Sequence, residues 1–256
     1  MNKNKFIDSI PSILIVLSVF VLWEILVHIQ DIPTWLLPAP SEIFKSLYID
    51  FPKLIEHTLV TLQEILIGFL VALIFGFLIA SAIGLSTTLE KSLYPFLISL
   101  QTIPIIVIAP MLLVWIGYGL LPKIIVVALI SFFPIVVNTA DGMKSLDIDM
   151  KRLLLTMGAN NWQIFRKIMI PSSLPYLFSG VRIAVSISVI GAVIGEWVGS
   201  SEGLGYLMIR SKPQFHTELV FGAIFILSAI GIGLFLLVGF LERLVIPWSR
   251  YENSTE

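Results

Sequence analysis

"TMGANNWQIFRKIMIPSSLP", Thr156 to Pro175, interrupts a chain that is oily on both sides of it. The stretch holds a glycine, two asparagines, a tryptophan, an Arg-Lys pair and two prolines. Apolar residues still recur through it at helical spacing: Leu153, Leu154 and Met157, then Trp162, Phe165, Ile168 and Met169. Gly158 falls between the two runs, where a residue in the left-handed region would cap the first helix. Pro171 is expected to end the second. The stretch therefore reads as helix, glycine corner, helix, with both helices amphipathic. Two readings fit that pattern: helices lying on lipid headgroups, or a docking element for a soluble partner.

The flanks decide the fold. Of 256 residues, 57% are hydrophobic and 13% charged, against about a quarter charged in a soluble domain. A helix needs about 20 apolar residues to span a bilayer. Six stretches qualify, at roughly 10–29, 64–85, 94–116, 122–139, 174–198 and 219–241, and the last carries no charge. Backbone groups cannot stay unpaired in lipid, and the alternation of a barrel is absent, so the runs are expected to be helices. The expectation is an all-α polytopic membrane protein, a single transmembrane domain over 1–256. Its basic, apolar N-terminus is read as a retained first span, because no small-x-small cleavage site follows directly.

Lys and Arg set the orientation. With the N-terminus inside, ten fall in inner segments (Lys3, Lys5, Lys91, Lys144, Lys151, Arg152, Arg166, Lys167, Arg243, Arg250) and five in outer ones (Lys45, Lys53, Lys123, Arg210, Lys212). Both termini are then cytoplasmic, and the opening stretch lies in the longest inner loop, 140–173. After the first span, "LLPAPSEIF" reads as a turn with Ser41 as cap of a short outer helix, Ser41–Leu47.

Little in the chain suggests bond-making chemistry. It lacks cysteine, a Walker lysine loop, HExxH and GxSxG. His28, His57 and His216 have no metal spacing. Asp141, Asp147 and Asp149 are read as loop-solubilising residues, Asp149 as a helix cap, rather than as a Mg²⁺ site. Neither a catalytic nor a metal site is expected, and a net charge of -1 offers no field for nucleic acid. Charges inside spans are hypotheses of function by default: Glu24, Glu64, Arg182 and Glu196. Small residues recur every fourth position at Ala72, Gly76, Ala80 and Gly84, at Gly180, Ala184, Ser188 and Ala192, and at Gly191, Gly195 and Gly199. Such stripes let helices approach closely, within the chain or at a dimer or pathway face.

Gly158, Ile168, Ile170 and Pro171 resemble the "EAA" loop of bacterial ABC importer permeases, E-A-A-x-x-x-G-x9-I-x-L-P. Arg152, Leu153 and Leu154 stand where Glu-Ala-Ala would be. "LLPAPSEIF", "QTIPIIVIAPMLLVWIGYG", "ISFFPIVVNTADGM" and "GEWVGSSEGLGYLM" resemble the nitrate/sulfonate/taurine branch, which also holds thiamine-pyrimidine precursor permeases. Glu64 departs from the basic residue of many relatives. The resemblance implies a subunit of the bacterial cell membrane that forms a translocation pathway and holds no ATP site. It implies a second copy, two ATPase partners that carry ATP and Mg²⁺, an external binding protein, and a small organic anion or heterocycle as solute. It assigns ATPase coupling to Leu154, Leu155, Thr156, Gly158, Ala159, Trp162, Phe165 and Pro171. The pathway is expected between two copies, along Gln101 and Thr102 of the third span and Gly180, Ala184, Ser188 and Glu196 of the fifth. A secondary transporter and a membrane-embedded enzyme are the alternatives, although the chain shows neither repeated halves nor an acid/base cluster.

Overall fold

A computed structural model describes residues 3–248; Arg250, counted in the charge asymmetry, lies outside them. The described residues are helical: α1 (Lys3–Ile29), α2 (Pro40–Ile49), α3 (Phe51–Leu85), α4 (Thr87–Gln101), α5 (Ile105–Ile116), α6 (Leu120–Lys144), α7 (Ile148–Thr156), α8 (Asn161–Ile164), α9 (Ile170–Gly199), α10 (Leu204–Ser211) and α11 (Thr217–Val245). Among them α3, α6, α9 (with the turns leading into it) and α11 are long and apolar enough to cross a membrane. The apolar part of α1, Ile13–Ile29, has 17 residues, which makes it about 26 Å long. It packs through Trp23 on Phe221 and Phe20 on Phe225 of α11.

The core is built around α6, held between α3 and α9. Both neighbours turn small residues toward it. A Cβ on Gly68 would lie 2.5 Å from the Val127 Cβ, one on Gly76 2.8 Å from Ile135 Cγ2, and one on Gly84 2.7 Å from Met143 Sδ. On the other side a Cβ on Gly180 would meet the Pro134 carbonyl oxygen at 2.5 Å. Ala72, Ala80, Ala184, Ser188 and Ala192 are buried along the same faces. The stripes are thus packing faces within one chain. Lipid tails are as apolar as Leu, so burial alone does not bring membrane helices together; close approach and dispersion do.

Two expectations change here. The stretch 94–116 is not one straight span: α4 and α5 meet at 95°. Pro104 has no N–H to continue the ladder and biases Ile103 away from helical backbone, so the helix breaks over Thr102–Pro104. Gln101 and Thr102 sit exposed at this elbow. Nor is Ser41 a helix cap. Ala39 is the cap, its N–H bonded to Glu42 Oε2 at 3.0 Å. Ser41 instead donates twice to Glu24, from N at 3.0 Å and Oγ at 2.6 Å, and His28 meets the same carboxylate at 3.0 Å. Glu24 therefore ties α1 to the positive end of α2.

Gly180→Ala is expected to cost about 1–3 kcal/mol of stability, because the new methyl meets backbone that cannot rotate away. Gly233→Ala, whose Cβ would meet nothing within 4 Å, serves as control and should be neutral or stabilising. Thermal unfolding of both variants in detergent checks the contrast.

Candidate functional site

The corner at Gly158 is fixed by its own hydrogen bonds. Helix α7 starts at Asp147, whose side chain accepts from Asp149 N at 2.8 Å; Asp149, expected as the cap, lies in the first turn. At the other end Gly158 N donates to Leu155 O and Ala159 N to Leu154 O, both at 3.0 Å. That crossed pair, with Gly158 at φ +86°, is a Schellman stop. Leu154 and Ala159 pack together beside it in a cluster with Met143, Ile164, Phe165 and Met169. The next helix starts at once. Asn160 Oδ1 accepts from Gln163 N at 2.8 Å, and Gln163 Oε1 accepts from Asn160 N at 2.9 Å, a reciprocal capping box. "GANNWQ" is thus a stop and a start placed back to back, with its chain reversal set by local bonds.

Pro171 does not end the second helix, as the sequence suggested. A π turn over Phe165–Met169 carries the chain from α8 into α9, with Ile170 N donating to Phe165 O. The wider turn accommodates a residue that lacks an N–H and crowds the preceding carbonyls. Ser172 Oγ donates to Ile168 O at 2.8 Å and Ser173 Oγ to Ile170 O at 2.9 Å, satisfying carbonyls beside the proline. Asn161–Gly199 is consequently one helical run of 39 residues, so the corner and α9 are mechanically continuous.

The residues expected to couple divide into buried and exposed ones. Phe165 is buried, and Leu154, Ala159 and Pro171 are half-buried. Leu155, Thr156, Gly158 and Trp162 are exposed, as are Leu153 and Met157, the last at 75% of its surface. Large apolar side chains are thus left open around a rigid corner.

The opposite end of the bundle holds a buried polar network. Lys123 Nζ donates to Glu64 Oε1 at 2.7 Å and to Ser200 Oγ at 2.6 Å. Thr61 Oγ1 donates to Glu196 Oε1 at 2.6 Å and accepts from Leu204 N at 2.8 Å. Glu196 Oε2 accepts from Gly205 N at 2.5 Å. His57 Nδ1 accepts from Gly203 N at 3.0 Å. Glu64 and Glu196 are 0% and 1% exposed, so neither reaches headgroups. Four helices meet here: α3, α6, α9 and α10. The sequence flags both glutamates, but it places Lys123 in a loop and gives His57 no role. Lys123 follows Pro122 at the start of α6, and its partner is 59 residues away, so no local spacing announces the pair.

The residues expected to line a passage are not gathered on one open surface. Gly180, Ala184, Ser188 and Glu196 are buried within the chain, the first three beneath α6. The open face of α9 lies elsewhere. Ser186, Ile190, Val193 and Trp197, with Ile106 of α5 and Ser228 of α11, line an apolar groove of about 760 Å³.

Residues 68–250 match the family described as "Binding-protein-dependent transport system inner membrane component". The chain is 40% identical to the formylaminopyrimidine transport permease ThiX of Halalkalibacterium halodurans, covering 95% of this chain and 97% of that one. It is 36% identical to the riboflavin transport system permease RibX of Chloroflexus aurantiacus, covering 94% and 90%. Permeases described for aliphatic sulfonates, taurine and nitrate match at lower identity. Among solved structures, an inward-facing MetNI methionine ABC transporter chain aligns with a TM-score of 0.68 at 18% identity, over 76% of this chain and 97% of that one. The chain belongs to the binding-protein-dependent permease family, in its nitrate, sulfonate, taurine and thiamine-precursor branch. It is a multi-pass ABC importer permease, and the relatives it matches are transport permeases.

Breaking one half of a buried ion pair leaves an uncompensated charge. Lys123→Met is therefore expected to cost about 3–5 kcal/mol of stability. The double variant Lys123→Met/Glu64→Gln should recover at least part of that loss. Thermal melts of the single and double variants measure the coupling.

Proposed function

We propose that this permease works as a homodimer driven by two peripheral ATPases, which dock on the Gly158 corner and carry all the ATP and Mg²⁺ chemistry. An external binding protein delivers the solute to the opposite end. Both termini and the corner face the cytoplasm, as the Lys and Arg distribution favours. The observation that carries the reading is the corner itself. Force passes between rigid bodies only through packed, stiff elements. Here an exposed apolar helix end is locked by a Schellman stop and a capping box, then joined without a break to α9.

The solute class follows from the relatives. Those at 40% and 36% identity are described as serving a formylaminopyrimidine and riboflavin, while the taurine and sulfonate permeases stand at 28% or below. A nitrogen heterocycle is therefore the favoured solute, ahead of a small sulfonate. The pathway lies between two copies. Its lining is drawn from the exposed elbow at Gln101 and Thr102 and from the open face of α9, because α6 covers the small-residue stripe of that helix. Thermal shift of the cognate binding protein against pyrimidines, flavins, taurine and nitrate tests the solute class; stabilisation by taurine or nitrate alone overturns it.

A Cβ on Gly158 would meet nothing within 4 Å, yet the residue sits at φ +86°, so the constraint there is backbone conformation rather than space. Gly158→Asn, which tolerates the left-handed region, should keep most uptake and ATPase docking. Gly158→Val should lose both while remaining in the membrane. Met157→Asp, which leaves the fold alone, should weaken ATPase co-purification by at least tenfold. Reconstituted uptake and pull-down with the ATPase read these outcomes.

The topology has its own check, since the chain has no cysteine. A cysteine at Asn160 should react only with a membrane-permeant thiol reagent. One at Ser201 should react with an impermeant reagent applied outside whole cells. Reversed labelling overturns the orientation.

A further inference from the structure

The network around Lys123 holds two buried carboxyl groups and one buried cation. Glu64 Oε1 accepts from Lys123, but Glu64 Oε2 is buried with no hydrogen-bond donor in reach. Glu196 accepts from Thr61 Oγ1 through Oε1, and from Gly205 N at 2.5 Å and Tyr206 N at 3.4 Å through Oε2. Thr61, one turn before Glu64 on α3, donates to Glu196, and Lys123, bonded to Glu64, lies against Gly195 beside Glu196, so the two carboxyl groups share one buried pocket. If both were ionised, two anions would occupy one buried pocket with a single ammonium, bonded to Glu64. Like charges at that range disfavour joint ionisation, and a buried acceptor without a donor is a cost that folded proteins rarely leave standing.

The surroundings are built for one more proton and for little else. Gly203 and Gly205 leave no room for side chains against the Glu196 carboxyl; a Cβ on Gly205 would lie 2.9 Å from its Oε2. The other titratable groups near the contact are already engaged or turned aside. His57 on α3 accepts from Gly203 N. Lys123 is the cation from α6. Glu202 in the connection to α10 contacts Ser200 through its backbone. Tyr206 on α10 bonds Arg210. None of them supplies a donor to the free oxygen of Glu64.

We propose that Glu64 and Glu196 bind a single proton between them, making a neutral site with Lys123 where α3, α6, α9 and α10 meet. The proton gives Glu64 Oε2 its missing partner and converts a repulsive contact into an O–H···O bond. Two carboxyls sharing one proton carry one negative charge, which Lys123 balances. The site is also what holds α10. Glu196 receives the first backbone N–H groups of that helix, and Thr61 receives Leu204 N. The proton-binding pair is therefore the fastening of α10 to the bundle, at the end remote from the Gly158 corner.

Infrared spectroscopy of the purified full chain at neutral pH tests this. The wild type should show a C=O stretch of a protonated carboxylic acid that shifts in D₂O. Glu64→Gln and Glu196→Gln should each abolish it, because removing either acid leaves one carboxylate to match Lys123. Both single variants should keep a melting temperature within about 5 °C of wild type, since the amide supplies the same shape and a donor. The double variant, which leaves Lys123 without an anion, should melt well below either. A missing band in wild type, a band that survives either single change, or unfolding of a single variant overturns the proposal.

Discussion

The structure depends on how closely α6 lies against its two neighbours. Val127, Ile135 and Met143 occupy places on α3 where Gly68, Gly76 and Gly84 have no side chain. Gly180 of α9 does the same for the Pro134 carbonyl. In a bilayer, surface removed from lipid yields little, so contact quality decides association. A helix seated this deeply on both sides cannot slide without displacing backbone. Both candidate sites then hang from it. Lys123, near its first residue, meets Glu64, and Met143, near its last, packs on Phe165 beside the corner. One rigid stave spans from the network to the corner.

The continuity of α9 with the corner gives that rigidity a direction. Had Pro171 ended the helix, a hinge would separate the Gly158 corner from the membrane domain. Instead the π turn absorbs the proline, and two serine hydroxyls satisfy carbonyls around it. A displacement of Trp162 therefore moves a 39-residue run as a body. Near the far end of that run Glu196 grips α10. The Arg182–Glu242 ion pair ties the same helix to α11, and Gly239 leaves the space that the guanidinium fills.

Much of this was legible in the sequence, for identifiable reasons. Spans are read from composition because lipid permits only internally satisfied backbone. Gly158 was legible because a glycine between two helical runs is a local signal, while the capping box of Asn160 and Gln163, equally local, went unread. The stripes announced close packing but not its partner: Gly180, Ala184 and Ser188 fit a passage or a neighbouring helix equally well, and only the position of α6 decides. The elbow at Pro104 was readable as a proline but not as a 95° turn, since that angle is set by what α4 and α5 pack against. Pro171 was misread by the ordinary rule, because the π turn that rescues it leaves no mark at the residue itself. The Glu64–Lys123 pair was out of reach, being joined across 59 residues by tertiary contact alone.

The distribution of buried polarity also argues where a solute can and cannot pass. At the α10 end Lys123, Glu64 and Glu196 make their bonds inward among α3, α6, α9 and α10. The inner stripe of α9 is closed by α6. What remains open on α9 is the side with Ser186, Ile190, Val193 and Trp197, facing a groove whose walls are apolar. The hydroxyl of Ser186 is turned back to Arg182 O at 3.0 Å, and that of Ser228 to Ile224 O at 2.8 Å. A surface of this kind offers a flat heterocycle dispersion contact without a fixed charge to hold it. Weak, undirected contact is what a route requires, because a solute bound tightly on the way is not released. On the proposed route, selection of the solute falls to the external binding protein rather than to this groove.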